Sequence, residues 1–366
     1  NIWSAIGATG PPTYENTGHN NNLSFITSNE GVIVINAGAS SSLAKALHDE
    51  IKKITNKPVI LVINENGQGH AMLGNSYWID QGVPILAHED AIKEFEDNGP
   101  QILNRMIGYN RNKAKGTRLA LPTISFSDKY VINLGNLVIE VLYLGPAHSP
   151  GDISVWIPSK KLIIAGDMAF HERLLPIFSE TNTKEWINTW ENKFEKLNAI
   201  YVIPGHGHPT NMEQVRRYTR DYLVYLREKI GSFLENGGEL KDSYYVDQTP
   251  FSHLHTFDEL ATRNAGRVYE EMEFDYLFAT KIKNLTMIDK TRIQKKLQLL
   301  VLEGDGIGPE ISREAVRILN VLDRKHALNL EIITEVVGLK SLETCLLYTS
   351  DAADERSSVD LGGRRI

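Results

Sequence analysis

From Leu23 to Tyr201 short apolar runs alternate with amphipathic stretches, and the runs have the length and β-branched content of buried strands. Gly31-Val-Ile-Val-Ile-Asn36 reads as one strand, ending in Ala37-Gly38, and Pro58-Val-Ile-Leu-Val-Ile-Asn64 reads as the next. Between them the apolar positions of Leu43 to Ile54 recur at helical spacing. Leu137 to Tyr143, Ile153 to Ile157 and, after the turn Pro158-Ser-Lys-Lys161, Leu162 to Ala165 continue the series of strands. A long helical pattern spans Met212 to Leu234, and a second spans Thr256 to Met272 beyond a polar, Gly-bearing stretch. The alternation predicts an α/β fold whose strands end close to a His or an Asp.

With 42% hydrophobic and 23% charged residues over 366 positions, the chain has the composition of a globular protein and the length of one large domain or two smaller ones. A formal charge of -7 and a pI near 5.9 provide no basic field for a nucleic acid, and no apolar run approaches the ~20 residues that span a bilayer. The expected partner is a small-molecule substrate, with neither nucleic acid nor membrane. Cys345 is the sole cysteine, which excludes a structural disulfide and leaves His and carboxylate to ligate any metal in the body of the chain. Because the chain opens at Asn1 rather than at a methionine, its beginning carries no information on a leader, and cytoplasmic and periplasmic locations both stay open. Oligomeric state is not legible.

After Phe274 the pattern changes, and from Leu297 the chain restarts as a strand, a Gly-rich turn and a helix. The stretch centred on Gly304-Asp-Gly-Ile-Gly-Pro-Glu310 resembles the amino terminus of the isopropylmalate and isocitrate dehydrogenases, over about one strand, one helix and the next strand. Such a fragment is too short for a working dehydrogenase, and Met287 has the place of a start residue for a foreign segment. Cys345-Leu-Leu-Tyr-Thr-Ser-Asp-Ala-Ala-Asp354 is what TGT CTC TTA TAC ACA TCT GAC GCT GCC GAC encodes, a string similar to a transposase-type library adapter. The expected division is thus a main domain over residues 1–283, a truncated dehydrogenase-like β-α-β fragment over 284–344, and a non-native tail over 345–366.

Four stretches of the main domain carry candidate chemistry: Gly67-Gln-Gly-His70, Gly145-Pro-Ala-His-Ser-Pro-Gly-Asp152, Ala165-Gly-Asp167 and Val202-Ile-Pro-Gly-His-Gly207. Each sets a potential ligand just after an apolar strand, where loops from one sheet edge converge. Imidazole and carboxylate are the groups Zn²⁺ accepts in the absence of thiolates.

In order and spacing, "GPAHSPGD", "IIAGD" and "VIPGHG" resemble the metallo-β-lactamase superfamily, over roughly residues 1 to 280. The resemblance implies an αββα four-layer sandwich with the site at one edge of its sheets. It also implies that His148 is the third ligand of a first metal, Asp167 the bridging carboxylate and His206 a ligand of a second metal. The opening stretch departs from the family's His-x-His-x-Asp-His, in which the leading His pair binds one metal and the Asp-His pair the other. Counting back from His70 as the final His puts Glu65, Gly67 and Gly69 at the other positions, and this register is preferred because it keeps an imidazole in place. Aligning on Gly74-Asn75 instead puts Asn66, Gln68, His70 and Ala71 on the four. In either register both leading His are missing, so one zinc ion is expected rather than two, held by His70, His148, Asp167 and His206, with Glu65, Asn66 or Gln68 as weaker neighbours. The expected function is hydrolysis of a small ester, thioester or lactam, with Glu65 and Asp167 as catalytic groups. The alternatives are a silent relative that binds a ligand or partner through the same pocket, and a redox role, the weaker because no flavin-binding domain follows.

Other residues have plainer readings. His171, in "FHERLLP", is as readily a loop residue as a pocket residue, and His208 suits a turn with Pro209. His19 lies in a run of Asn residues before a strand that suits either a pocket lining or turns, and His253 and His255 reach the site only if the C-terminal helices fold over it. Tyr77 and Trp78 read as core or pocket wall. Asp152 is expected to orient the His148 loop, and Gly166 and Gly205 to let the backbone turn beneath a metal.

Overall fold

The strand read over Gly31 to Asn36 is buried at every position from Val32 to Ile35, so it is covered on both faces, and the computed structural model shows by what. The structure describes residues 1–286, 297–302, 308–326 and 330–335. Strands β1 (Ile2–Ala5), β2 (Leu23–Thr27), β3 (Val32–Ile35), β4 (Val59–Ile63), β5 (Ile85–His88) and β6 (Ile124–Phe126) form one sheet in that order. Its first three strands pair antiparallel and the rest parallel. A second sheet runs β11-β10-β9-β8-β7, with β7 (Lys129–Leu134), β8 (Leu137–Leu142), β9 (Ser154–Ile157), β10 (Leu162–Phe170) and β11 (Tyr201–His206). Here only β10 and β11 are parallel, joined by a helical crossover.

Period-two alternation sorts each apolar run between two cores. Ile26, Ile33, Ile35 and Ile63 meet Ile139, Val155, Ile157 and Ile164 between the sheets. Phe25, Val32 and Val34 face outward onto Leu43, Leu47 and Ile51 of α1 (Ser41–Ile54) and onto Trp78. The helices α2 (Gly69–Met72), α3 (Asn75–Asp80) and α4 (Glu89–Asn110) follow on this side. The outer face of the second sheet packs Ile163, Ala165 and Phe170 under Trp186, Trp190, Tyr222 and Leu226, carried by α5 (Thr183–Thr189), the π-turn after it, and α7 (Arg220–Glu235). The layers are helix, sheet, sheet, helix, the αββα sandwich expected.

Three elements differ from the sequence reading. The pattern over Met212 to Leu234 is two helices, α6 (Met212–Tyr218) and α7, because the Thr219 hydroxyl accepts from the Phe170 N–H at 2.9 Å and turns the backbone between them. Strand β10 continues past Ala165 to Phe170, which puts Asp167 inside a strand. The 22-residue α4 gave no signal, since Gly99 and Pro100 interrupt it and only part of one face is buried. Beyond α8 (Leu240–Ser243), the expected helix from Thr256 is α9 (Phe257–Thr286).

The chain divides into two units, Asn1–Tyr276 and Leu277–Ile366. In the second, β12 (Leu297–Leu302) and β13 (Leu330–Glu335) pair in parallel, with α10 (Gly308–His326) between them in sequence, a β-α-β unit. Met287, most of the Gly304 to Glu310 turn and residues 345–366, read above as a tail, lie outside the described residues. Among the described residues no helix is long and apolar enough to cross a membrane.

Candidate metal centre

Strand β4 ends at Ile63 and releases the loop that carries Glu65, Asn66, Gln68 and His70. The loop is braced from below: the Asn64 side-chain amide donates to the Ala71 carbonyl at 2.6 Å and to Asn75 Oδ1 at 3.0 Å, and Asn75 returns a bond to Asn64 Oδ1. Asn36 Oδ1 accepts from the Glu65 N–H at 3.1 Å. Gly166 and Gly205 make the room expected of them. A Cβ on Gly166, whose φ is +60°, would lie 2.4 Å from Glu65 Oε2, and one on Gly205 would lie 2.3 Å from Asp167 Oδ1.

Asp167, 1% exposed, is the hub. Its Oδ1 lies 3.2 Å from His206 Nε2, and its Oδ2 lies 3.4 Å from His70 Nε2 and 3.6 Å from His148 Nδ1. His70, Asp167 and His206 each offer a ligand atom within 4.8 Å of the others, and His148 stands outside that group. Glu65 Oε1 accepts from His70 Nε2 at 3.0 Å. His206 is held from behind by a short contact between its Nδ1 and the Asn20 carbonyl, which leaves Nε2 toward Asp167.

On the other flank of Asp167 the neighbours are amides. Asn66 Nδ2 donates to Asp167 Oδ2 at 3.2 Å and to Asp152 Oδ1 at 3.1 Å, and Gln68 Nε2 donates to His148 Nδ1 at 2.9 Å. Asp152 also accepts from the Ser149 N–H at 2.5 Å and from its hydroxyl at 3.1 Å, fixing the His148 loop as expected. The His148 ring is boxed by Phe170, Phe178 and Trp186, and its Nε2 has no partner there. Residues singled out by both registers take part in these contacts. Asn66 lies beside Asp167 and Gln68 beside His148, whereas Glu65 turns to His70.

Charge follows the geometry. Burial opposes ionisation of Asp167, but His70, His206 and His148 outweigh it and hold the carboxyl well below the usual range. Burial pushes His148 and His206 down to about 4, so both are neutral at pH 7. Burial works against a proton on His70 as well, yet Asp167 and Glu65 raise it overall. Glu65 is raised by burial first and by Asp167 next, despite the bond from His70. Asp152 is pushed well above the ordinary range by burial and by Asp167.

The remaining candidates are elsewhere. His171 Nδ1 donates to the His208 carbonyl, His208 pairs with Glu172 at 2.7 Å, and His255 meets the Thr9 hydroxyl. Tyr77 bonds His48 and Trp78 fills the outer core. Asn20, from the Asn run read as pocket lining or turns, reaches His206, and the sequence reading missed Arg173. Asn20 acts through its backbone and has no side-chain signal. Arg173 had one, a charged residue between "HE" and the apolar "LLP".

Residues 72–206 match the family model of the Metallo-beta-lactamase superfamily. The chain carries a metallo-β-lactamase domain. It is 20% identical over 251 residues to the linear primary-alkylsulfatase of Pseudomonas sp. (strain ATCC 19151), covering 58% of this chain and 47% of that one. It is 27% identical over 105 residues to the human acyl-coenzyme A thioesterase MBLAC2, covering 28% and 37%. A separate 40-residue stretch is 58% identical to the 3-isopropylmalate dehydrogenase of Buchnera aphidicola subsp. Schizaphis graminum (strain Sg), 11% of either chain. The chain thus spans about half or less of the curated relatives it matches. Among solved structures, a metallo-beta-lactamase from Pontibacter korlensis superposes with a TM-score of 0.48 at 17% identity, covering 56% of this chain and 87% of that one.

Proposed function

We propose that the metallo-β-lactamase domain is a zinc-dependent hydrolase of a small ester, thioester or lactam that works with one ion held by His70, Asp167 and His206. The observation that carries this reading is the convergence of two imidazole nitrogens and a carboxylate oxygen within 4.8 Å of one another, around an Asp167 Oδ1 that is enclosed without a hydrogen bond. A buried polar atom left so is what a cation satisfies. Two imidazoles and a carboxylate suit zinc, and three protein ligands leave the open position that marks a catalytic site. When bound, zinc acidifies water at that position and polarises the carbonyl under attack.

The chain's own groups do the rest. Asp167 stays ionised in its field of imidazoles. The Asn20 carbonyl fixes the His206 tautomer so that Nε2 keeps its lone pair. Glu65, raised by burial and next to His70, takes a proton at Oε1 during attack and returns it to the leaving group. His148 packs against Asp167; serving as a fourth ligand would require Gln68 to release its Nδ1.

A second reading has its own observation. With His70 raised, a proton on Nε2 bridges Glu65 and Asp167 without any ion, as in a silent member that binds a ligand. Elemental analysis of the full chain, with His70→Ala and His206→Ala, decides between the two. About one zinc per chain in the parent, absent from both variants, together with turnover of an acyl thioester, an acyl ester or a chromogenic β-lactam, supports the hydrolase. A parent that stays free of zinc after reconstitution overturns it in favour of the silent binder.

A further inference from the structure

Strand β1 is the outer strand of its sheet, and its outward side is bare. The Thr27 N–H donates to the Asn1 carbonyl at 2.8 Å, Trp3 lies opposite Phe25, and Ala5 lies opposite Leu23. Bonded pairs alternate with unbonded ones in an antiparallel ladder. Asn1, Trp3 and Ala5 therefore turn their N–H and C=O groups to β2, while Ile2 and Ser4 turn theirs away from it. That side of β1 walls a cleft of about 690 Å³, with Leu162, Ile200 and Tyr201 of the second sheet among the residues opposite. No charged residue lines the cleft.

The other outer strands of the two large sheets are protected in ways that β1 is not. β11 contains Pro204, and its Val202 exchanges bonds of 2.9 and 2.8 Å with Thr210 on the outer side. β6 has only three residues, and β7 opens on Lys129. β1 has neither a proline nor a charge, and the first charged side chain along the sequence is Glu15. A bare edge of this kind is a template for another strand. An alkyl chain in the cleft would shut the free groups of Ile2 and Ser4 away from water without partners, whereas a strand satisfies them.

We infer that β1 pairs antiparallel with β1 of a second copy of this chain, about a two-fold axis at Trp3. In that register Ile2 faces the partner's Ser4 and Ser4 faces the partner's Ile2, so all four outward groups of β1 are bonded by β1 alone. Trp3, 46% exposed and stacked on Phe25, meets the partner's Trp3 across the axis, an aromatic cross-strand pair. The contact is isologous, so it closes as a dimer. Two chains of formal charge -7 repel each other, and this uncharged face is where they approach with least opposition. The inference is independent of the hydrolase reading.

Sedimentation velocity of the full chain at micromolar concentration tests this, together with Ser4→Pro. Proline removes the outward N–H of Ser4 and leaves the bonds from β1 to β2 in place. The expected result is a parent at twice the 41.1 kDa of the chain and a Ser4→Pro variant whose dimer is at least tenfold weaker. A parent that stays monomeric overturns the inference and leaves the edge to a strand of another protein. A Ser4→Pro dimer as tight as the parent's overturns it by placing the contact elsewhere. If Ser4→Pro does not fold, Trp3→Cys in a Cys345→Ser background decides. Unbonded antiparallel partners have Cα atoms ~4.5 Å apart, within reach of a disulfide, so mild oxidation should link that variant into dimers, and its failure to do so overturns the register and the pairing.

Discussion

On one flank of Asp167 the neighbours are the imidazoles of His70 and His206, and on the other they are the carboxamide of Asn66 and a His148 ring bonded by the carboxamide of Gln68. The flanks share a hub, similar burial and one sheet edge, yet their charge states differ. On the imidazole flank Asp167 is ionised with unpartnered capacity at Oδ1. On the carboxamide flank Asp152 is driven toward its neutral form, and amide N–H groups occupy the acceptors a cation would otherwise satisfy. An amide donates to a carboxylate in a fixed direction and adds no charge, so it preserves the packing of a metal site while removing its reason to bind a metal. The carboxamide flank is closed by hydrogen bonds, whereas the imidazole flank presents side chains that could hold an ion.

The largest effect should come from breaking the imidazole flank. Asp167→Asn keeps the shape but replaces an anionic ligand with a neutral one, and zinc affinity should fall by more than the ~10–100-fold that follows loss of a mere supporting contact. Competition with a chromogenic chelator measures it, and unchanged affinity would place the ion elsewhere. Next is conversion of the carboxamide flank. Asn66→His with Gln68→His gives His148 two imidazole partners, and zinc content should rise from about one to about two per chain. A double variant that stays at one ion would show that these hydrogen bonds are not what excludes the second.

How much of this was legible follows the same division. The strands and the ligand-bearing turns were readable because strand periodicity and His or Asp at strand ends are local features, whereas the αββα order was implied only by the resemblance of three motifs to a known family. Asp167, His206 and His70 could be named as candidates on that basis. The roles of Asn66 and Gln68 were not legible, because the preferred register passes over both and their contacts with Asp152, Asp167 and His148 are tertiary. The break at Thr219 was hidden because it is decided by a tertiary contact with Phe170, and α4 because Gly99 and Pro100 interrupt its local pattern.

His148 sharpens the comparison through pH. Its pKa in the folded protein, about 4, lies below the ordinary 6.5, so as pH falls from 6.5 toward 4 the unfolded chain takes up a proton that the folded one refuses. Stability is lost across that window, by at most about 3 kcal/mol from this group. His148→Phe removes the titration while keeping a ring in the aromatic box, so the variant should gain on the parent as pH falls from 6.5 to 4. Urea unfolding of chelator-treated protein at several pH values reads the difference, and parallel curves for the two proteins would contradict it. The same variant should keep its zinc at neutral pH, unlike His206→Ala, because His148 stands outside the convergent group.

The smallest effect concerns Glu94, on α4 behind the carboxamide flank. A Cβ on Gly67 would lie 2.8 Å from its Oε2, which is enclosed without a hydrogen-bond partner. Burial, with Glu180 adding repulsion against the Ser149 hydrogen bond, pushes its pKa from 4.5 up to about 7. Here the sign reverses relative to His148. Between pH 4.5 and 7 the unfolded chain has released a proton that the folded chain retains, so stability falls as pH rises, and above 7 the full penalty of an ionised, poorly solvated carboxylate is present, up to about 3 kcal/mol before relaxation. Glu94→Gln has nearly the same shape and no charge. It should be more stable than the parent at pH 8 and about equal at pH 4.5, with zinc content unchanged. A variant that differs from the parent by the same amount at both pH values would mean that Glu94 is solvated, and that the carboxamide flank is not the charge-poor half of the site that its hydrogen bonds describe.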